Sequence, residues 1–435
     1  MAAGIEGYRA KLCTADEAVA MIPDEAFVVQ GNAVGEPPAL LQAIAKQARA
    51  GGFTRLTMTS LLPLTTSART ILAADMRDVI RWQSIFASGA DRGLIVSGHA
   101  VYTPAFFHQV PRLYREFMDI DVALICVSRV DRHGYMSLGT NVDTNRAAIE
   151  SADLVLAEVN PQMPRVHGDS WVHVSEVDAI VENDTPLIEL PVPAARPEDE
   201  AMGQIIAEMI PDGATIQLGI GGVPNAVARS LMSHKDLGIH TEMFVDAMVD
   251  LMEAGVANGR QKTFHRGKAL YAFAAGSQRM YEFLDDNPAV EGHPVSYTNF
   301  PANIARNDNL ISVNSTIEVD LTGQCCSESM GTEQWSGTGG QHDFARGAFD
   351  SKGGKSIIAF YSTAKNGEVS RVVPTLKPGA VVTTPRTEVH WVVSEHGAAC
   401  LKGKSTAERA AALIGLAHPK FRDELTAEAK RLRYL

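Results

Sequence analysis

The sequence predicts an α/β protein: two tandem, related open α/β domains, each a mostly parallel sheet flanked by helices. Three observations carry the prediction. Short β-branched runs alternate with longer stretches of helical spacing. A length of 435 residues exceeds what a single hydrophobic core supports. Three segments of the first half also recur, in the same order, in the second.

In the first half, strands are expected at 56–64 (LTMTSLLPL), 121–130 (DVALICVSRV), 152–159 (ADLVLAEV) and 179–183 (AIVEN), with a helix over 40–48. A break follows at 190–200, LPVPAARPEDE. There Pro191, Pro193 and Pro197 oppose helix, and Glu198, Asp199 and Glu200 suit the start of the next one. This divides the chain into an N-terminal domain, 1–195, and a C-terminal domain, 196–435. In the second half, helices are expected over 201–210, 225–232 and 406–413. Strands are expected at 214–220 (ATIQLGI), 310–314 (LISVN), 356–361 (SIIAFY), 380–384 (AVVTT) and 389–394 (VHWVVS).

The repeat pairs IPDEAFVVQG from Ile22 with IPDGATIQLG from Ile210, and VALICVSRVDRHG from Val122 with SIIAFYSTAKNG from Ser356. Its third pair is DLVLAE from Asp153 with HWVVSE from His390. Strands alternating with helices imply parallel sheets, whose ligands sit beyond the carboxyl ends of the strands.

Composition narrows the function. Lys and Arg number 39 against 51 Asp and Glu, a net charge of −12, so nucleic acid is not an expected partner. The apolar runs stop at strand length, short of the ~18 residues of a spanning helix. The N-terminal MAAGIEGYRAKLC lacks the apolar stretch of a secretory signal. Neither membrane nor export is expected, and the location reads as cytoplasmic. Cys13, Cys126, Cys325, Cys326 and Cys400 include no CxxC and read as free thiols of a reducing compartment. No Cys/His cluster has ligand spacing, so no metal is expected.

Two glycine-rich loops stand out. QLGIGGVPN, 217–225, follows an expected strand and precedes an expected helix. It is either a tight turn or a cradle whose backbone N–H groups and helix N-terminus face an anion. Its spacing is neither that of a dinucleotide fingerprint nor that of an ATP loop. WSGTGGQHDF, 335–344, likewise meets a backbone need, a turn or N–H groups facing a ligand, to which Ser336 or Gln341 can add hydrogen bonds.

Among the carboxylates, Glu242 in GIHTEMFVD sits at a strand end or loop, as a helix N-terminal charge, a surface residue or a nucleophile. His240 lies two residues away, either as an acid–base partner or as a packed side chain. Glu395 and its repeat counterpart Glu158 close strands on the ligand side of their sheets, or cap the turn that follows. His133 and Asn314 are ambiguous from the residues alone, and the vicinal Cys325 and Cys326 carry no assigned chemistry.

Together these segments resemble the acetyl-CoA hydrolase/transferase family of class I CoA-transferases. The resemblance runs in order through FFHQVPRLYR, DVALICVSRVDRHGYMSLG, AEVNPQMPRVHGDSWVHVSEVDAIVE, GIGGVPNAV, GIHTEMFVD, NDNLISVNSTIEVDLTGQ, SGTGGQHDFARGA, SRVVPTLKPGAVVTTPR and SEHGAACLKGKS, most of the chain. It implies an active site in the cleft between the two domains and a homodimer or higher homo-oligomer. Glu242 matches the glutamate that becomes a glutamyl-CoA thioester. Gly219, Ile220, Gly221, Gly222 and Val223 match the CoA-binding stretch. Gly331, Ser336, Gly340 and Lys365 match further CoA contacts, with Gly340 also donating to the oxyanion. Asn314 and Glu395 match residues that position the substrate and the glutamate.

The implied activity is transfer of CoA from a short-chain acyl-CoA to a small carboxylic acid. Acyl-CoA and carboxylates are its substrates, and no tightly bound cofactor is needed. The alternatives are an acyl-CoA hydrolase on the same scaffold and a non-catalytic acyl-CoA-binding protein. Trp335 stands where many relatives have a smaller aromatic, and the 399–403 segment, ACLKG, departs from their usual residues.

Overall fold

The computed structural model describes residues 2–191 and 194–435, so Pro193 of the expected boundary lies outside the described residues. The described chain forms two compact units. One takes in residues up to Pro191 together with Leu270–Thr298; the other takes in the chain from 194 to Ala269 together with Asn299–Leu435.

The first unit is built on a seven-stranded, wholly parallel sheet. Its strands are β1 (Phe27–Gln30), β2 (Leu56–Leu61), β3 (Ile80–Phe86), β4 (Ala100–Tyr102), β5 (Val122–Val127), β6 (Leu154–Val159) and β7 (Ala179–Glu182), in the order β7-β6-β5-β1-β2-β3-β4. β5 is buried at every position, as an apolar run covered on both faces must be. β3 and β4 are absent from the expected strands. β3 alternates the exposed Arg81 with the buried Trp82 and the half-buried Gln83 with the buried Ser84, so it shows no continuous apolar run.

Helix α1 (Pro38–Arg49) starts on Pro38, whose missing N–H costs nothing in the first turn. It lays Leu40, Leu41 and Ile44 onto a core that includes Val28, Met58, Trp82 and Leu124.

The second unit holds a six-stranded sheet of β8 (Thr215–Leu218), β9 (Gly238–Ile239), β10 (Leu310–Ser315), β11 (Lys355–Ala359), β12 (Trp391–Ser394) and β13 (Gly397–Cys400). Its order is β9-β8-β10-β11-β12-β13, parallel except for the closing β12–β13 hairpin. Around it stand α2 (Pro197–Glu208), α3 (Gly222–Ser230), α4 (Gln341–Asp350) and α5 (Thr406–Leu416). α2 begins with Pro197 followed by the three expected acids, and α5 is fixed by a Ser405/Glu408 capping box. Ile358, Phe360, Val392, Leu401 and Leu413 form one core of this unit.

One expected strand does not form. The segment 380–384 is not a strand; only Thr384 forms a bridge, with Cys325. Pro378 and Pro385 bracket it, and Thr383 spends its hydroxyl on Glu328 and on the N–H of Ser327, so side-chain bonds replace a ladder. The two sheets also differ in strand order. β1 lies directly beside β5, whereas β10 intervenes between their sequence counterparts β8 and β11. No helix among the described residues is long and apolar enough to cross a membrane.

Candidate active site

The register of the second sheet brings several loops to one edge. Leu218 pairs with Val313, Asn314 with Ile358, and Ala359 with Val393. The carboxyl ends of β8, β10, β11 and β12 therefore lie side by side; Gly219, Tyr361 and Glu395 follow the ends of their strands there, and Asn314 is the last residue but one of β10. The turn after β9 joins them: His240 N–H donates to Ile216 O at 3.1 Å, and the buried Thr241 hydroxyl donates to Met243 O at 3.0 Å. Glu242 emerges from this turn half-buried.

Its carboxylate is held. Asn299 Nδ2 donates to Glu242 Oε2 at 2.6 Å, across 57 residues of sequence, and Asn299 is fully buried. Gly340 closes in from another side. A Cβ at Gly340 would stand 2.9 Å from Glu242 Cδ and would overlap both Oε2 and the Asn299 amide. The Gly340 backbone is ordinary, with φ −96° and ψ 6°, so close approach is what this position demands of glycine. Gly340 is also the N-cap of the ten-residue α4, whose positive dipole end faces a carboxylate or a developing oxyanion favourably.

The segment leading to Gly340 hangs on Glu328, which is buried. Its carboxylate accepts from Thr383 Oγ1 at 2.9 Å and Thr338 Oγ1 at 3.3 Å. Its carbonyl accepts from the N–H groups of Trp335 and Ser336 at 2.7 and 3.1 Å. Ser336 Oγ donates to Ser327 O, and Gln341 Nε2 donates to the hydroxyls of Ser327 and Thr384. Gly331 lies in the turn of the hairpin pairing Ser329–Met330 with Glu333–Gln334, at φ +63°. Lys365 is exposed in the turn of a second hairpin, between Thr363 and Ser370.

The glycines of the 219–223 loop answer to separate needs. Gly221 has φ +117°, open to glycine. Gly222 is the first residue of α3, and a Cβ there would meet Asp199 Cγ at 2.6 Å. Asp199 is itself buried and fixed, accepting from Arg196 N–H at 2.8 Å and Tyr361 OH at 2.6 Å. Burial and this carboxylate push the Tyr361 hydroxyl up to about 12. Gly219 has no such packing reason, its Cβ position meeting only Val313 O at 3.8 Å. Ile220 is exposed and Val223 buried.

Asn314 and Glu395 share the sheet edge but have partners of their own. Asn314 Nδ2 donates to Gln217 Oε1 at 3.2 Å. Glu395 accepts from the N–H of Ser362 at 3.0 Å and from its hydroxyl. Glu158 does a different job. It accepts from the N–H groups of Ala39 and Leu40, at 2.8 and 3.1 Å, and from Asn183 Nδ2 at 2.6 Å, thereby anchoring the start of α1. Burial pushes its carboxyl up to about 7, although these three donors pull the other way. His240 is packed rather than poised: its ring is buried and edge-on to Phe344, and its Nδ1 faces Asn307 Nδ2 at 3.0 Å.

Asn299 and Glu328 are the side chains that sequence reasoning does not reach. Both act through partners distant along the chain, and neither sits in a spaced motif.

Comparison with known proteins sets this geometry in a family. Residues 4–191 match the acetyl-CoA hydrolase/transferase N-terminal domain, and residues 276–429 match the C-terminal domain of the same family. The chain belongs to the acetyl-CoA hydrolase/transferase family. Within it, the chain is 46% identical to succinyl-CoA:cyclohexane-1-carboxylate CoA transferase of Geobacter metallireducens, over 98% of this chain and 96% of that protein. It is 47% identical to 4-hydroxybutyrate coenzyme A transferase of Clostridium kluyveri, over 98% of this chain and 99% of that protein. The crystal structure of RipA from Yersinia pestis, 44% identical, superposes with a TM-score of 0.95 over the full length of both chains.

Proposed function

We propose that this chain is a CoA-transferase that moves coenzyme A from a short-chain acyl-CoA to a small carboxylic acid, through a glutamyl-CoA thioester on Glu242. The observation that carries the reading is the Glu242 carboxylate, held by Asn299 against the backbone of Gly340 at the N-terminus of α4. The two relatives named above, at 46 and 47% identity over nearly the whole chain, are named as CoA transferases.

The residue types suit the chemistry. Moving CoA between two carboxylates must conserve the thioester, so the acceptor has to be a carboxylate and not water. Glu242 attacks the acyl-CoA carbonyl and expels CoA thiolate, leaving a mixed anhydride. The thiolate then attacks the glutamyl carbonyl and releases the first acid. The second acid reverses the sequence, a ping-pong exchange that splits one difficult step into easier ones. Each addition builds a tetrahedral oxyanion, and Gly340 with the end of α4 is assigned to stabilising it. Gly219, Ile220, Gly221, Gly222, Val223, Gly331, Ser336 and Lys365 are assigned to CoA, and Asn314 and Glu395 to positioning substrate and nucleophile. A cytoplasmic homodimer completes the reading.

The test is to incubate the protein with acetyl-CoA and a panel of small carboxylates, and to quantify every CoA species by mass spectrometry. New acyl-CoA at constant total thioester is expected. Free CoA accumulating at the same rate without any acid would replace the transferase by a hydrolase. Glu242→Gln is expected to keep CoA binding and abolish exchange; near-normal exchange in that variant would remove Glu242 as the nucleophile.

A further inference from the structure

We infer that Arg196 and Arg371, gathered around the ring of Tyr361, form a phosphate clamp for the acyl-CoA substrate beside the start of α3. The clamp rests on the transferase reading above and adds to its CoA assignments two cations and the aromatic platform that carries them.

Three observations converge. First, positive charge gathers around one ring. Arg196 Cζ stands 4.9 Å from the centroid of the Tyr361 ring and Arg371 Cζ 5.9 Å from it, both within reach of a cation–π contact. The Arg371 guanidinium donates to the carbonyls of Ile317, at 2.9 Å, and Thr363, at 3.3 Å. Among the described residues neither guanidinium is paired with a carboxylate. Asp199 is already taken by the Tyr361 hydroxyl at 2.6 Å and the Arg196 N–H at 2.8 Å. Burial holds the Arg371 guanidinium below its ordinary range, and the charge of Arg196 pushes it the same way. Two guanidinium groups that share one ring repel, and an anion bound to both offsets that repulsion.

Second, the platform is tied to both segments assigned to CoA. Asp199, which is buried and holds the Tyr361 hydroxyl, packs against Gly222, the first residue of α3; a Cβ there would stand 2.6 Å from Asp199 Cγ. Tyr361 therefore adjoins the N-terminus of this nine-residue helix, whose first N–H groups lack intrahelical partners and whose dipole favours an anion. Arg371 is bonded through Thr363 O to the hairpin that carries Lys365. The 219–223 loop and the Lys365 hairpin thus meet at one arginine pair.

Third, the spacing suits the donor. Glu242 follows β9 and Tyr361 follows β11, three strand spacings apart in the order β9-β8-β10-β11, or roughly 14 Å. With the thioester sulfur at Glu242, a flexible pantetheine arm covers that span and brings a phosphate to Tyr361. The acid acceptor has to reach the glutamyl carbon of Glu242 itself, so the anion held three strands away belongs to the donor.

The test uses the whole protein and three acetyl donors: acetyl-CoA, acetyl-dephospho-CoA, which lacks the 3′-phosphate, and acetyl-pantetheine, which lacks every phosphate. Arg196 is exposed, so Arg196→Gln is expected to melt with the wild type. Its Kd for CoA and its KM for acetyl-CoA are expected to rise about 10- to 100-fold, the loss of hydrogen bonding to a charged group, with kcat little changed. With acetyl-pantetheine, wild type and variant are expected to turn over alike. A difference that persists with acetyl-dephospho-CoA upholds the clamp and places the diphosphate in it; a difference that vanishes there upholds it with the 3′-phosphate.

Unchanged CoA affinity in Arg196→Gln would overturn the clamp. So would an equal loss with acetyl-CoA and acetyl-pantetheine, which would mark a structural role. Arg371→Gln is expected to behave as Arg196→Gln does; should it fold poorly, because its guanidinium holds two carbonyls, Arg196→Gln decides. A wild type that passes CoA to no carboxylate, yet binds CoA with an affinity that depends on Arg196, would defeat the transferase reading and leave the clamp standing.

Discussion

Gly340→Ala separates folding from chemistry at the candidate active site. With φ −96° and ψ 6°, Gly340 has a backbone that alanine adopts without strain, so no left-handed penalty arises. Replacing glycine at a compatible site typically stabilises by about 0.4–1 kcal/mol through the unfolded chain, and losing a glycine N-cap costs a similar amount. The two nearly cancel.

The new methyl, however, would overlap Glu242 Oε2 and the Asn299 amide, far inside the 3.0 Å that real Cβ contacts essentially never breach. The overlap is relieved only by displacing the Glu242 carboxylate together with the Asn299 amide that holds it, by roughly 1 Å or more. A misplacement of that size costs about 100-fold in rate. The expected variant melts within about 3 °C of wild type, still binds CoA, and exchanges CoA between acetyl-CoA and a carboxylate at least about 100-fold more slowly. Thermal denaturation and a mass-spectrometric exchange assay on the same samples read both quantities. Turnover close to wild type would mean that the Glu242 carboxylate does not react from the position Gly340 encloses.

Two further predictions use the same reasoning with different outcomes. Gly222→Ala also drives a methyl into a carboxylate, but Asp199 is pinned by Arg196 N–H and Tyr361 OH. It cannot turn away, so the cost should appear as about 1–3 kcal/mol of lost stability; an unchanged denaturation midpoint would contradict the packing. Glu158 is raised from 4.5 to about 7 by burial, so the folded state holds its proton through a window in which the unfolded state has released it. Stability is then present below about pH 4.5 and declines as pH rises through about 7, by roughly 3 kcal/mol. Asp143, raised to about 7 by burial, contributes in the same direction. Glu158→Gln should therefore flatten the fall in denaturation midpoint between pH 4.5 and 7 without abolishing it, and parallel profiles would refute the assignment.

The fold was legible where a residue's neighbours decide its state. β5, β6, β10, β11 and β12 announce themselves as apolar β-branched runs, because strands buried on both faces have no other composition available. The 380–384 segment has the same composition and fails, because Pro378 and Pro385 leave it no ladder and Glu328 claims Thr383. Helix α3 begins at Gly222, ahead of the expected 225. Pro224 fits a helix's first turn, where its missing N–H is not needed. Glu242 could be seen as a residue but its role came from resemblance, and Asn299 could not be seen at all. A hydrogen bond spanning 57 residues leaves no periodicity to read.

The glycines and the paired glutamates show why the rest was hidden. Sequence reports that Gly221, Gly222 and Gly340 lack a side chain, not what each makes room for. The first supplies a left-handed turn, the second clears a buried carboxylate, and the third approaches Glu242 itself. Only the third neighbour is a half-buried carboxylate held by a buried amide, which is why the proposed chemistry is assigned there. Glu158 and Glu395 likewise occupy matching places in the repeat. Glu158 is consumed by the N–H groups that open α1, whereas Glu395 is held by the serine that follows β11 and Tyr361. The same residue type at the same point of two related sheets thus anchors a helix start in one and stays at the carboxyl edge of the sheet in the other. What distinguishes them is the donor each one meets, and that is set by tertiary contacts.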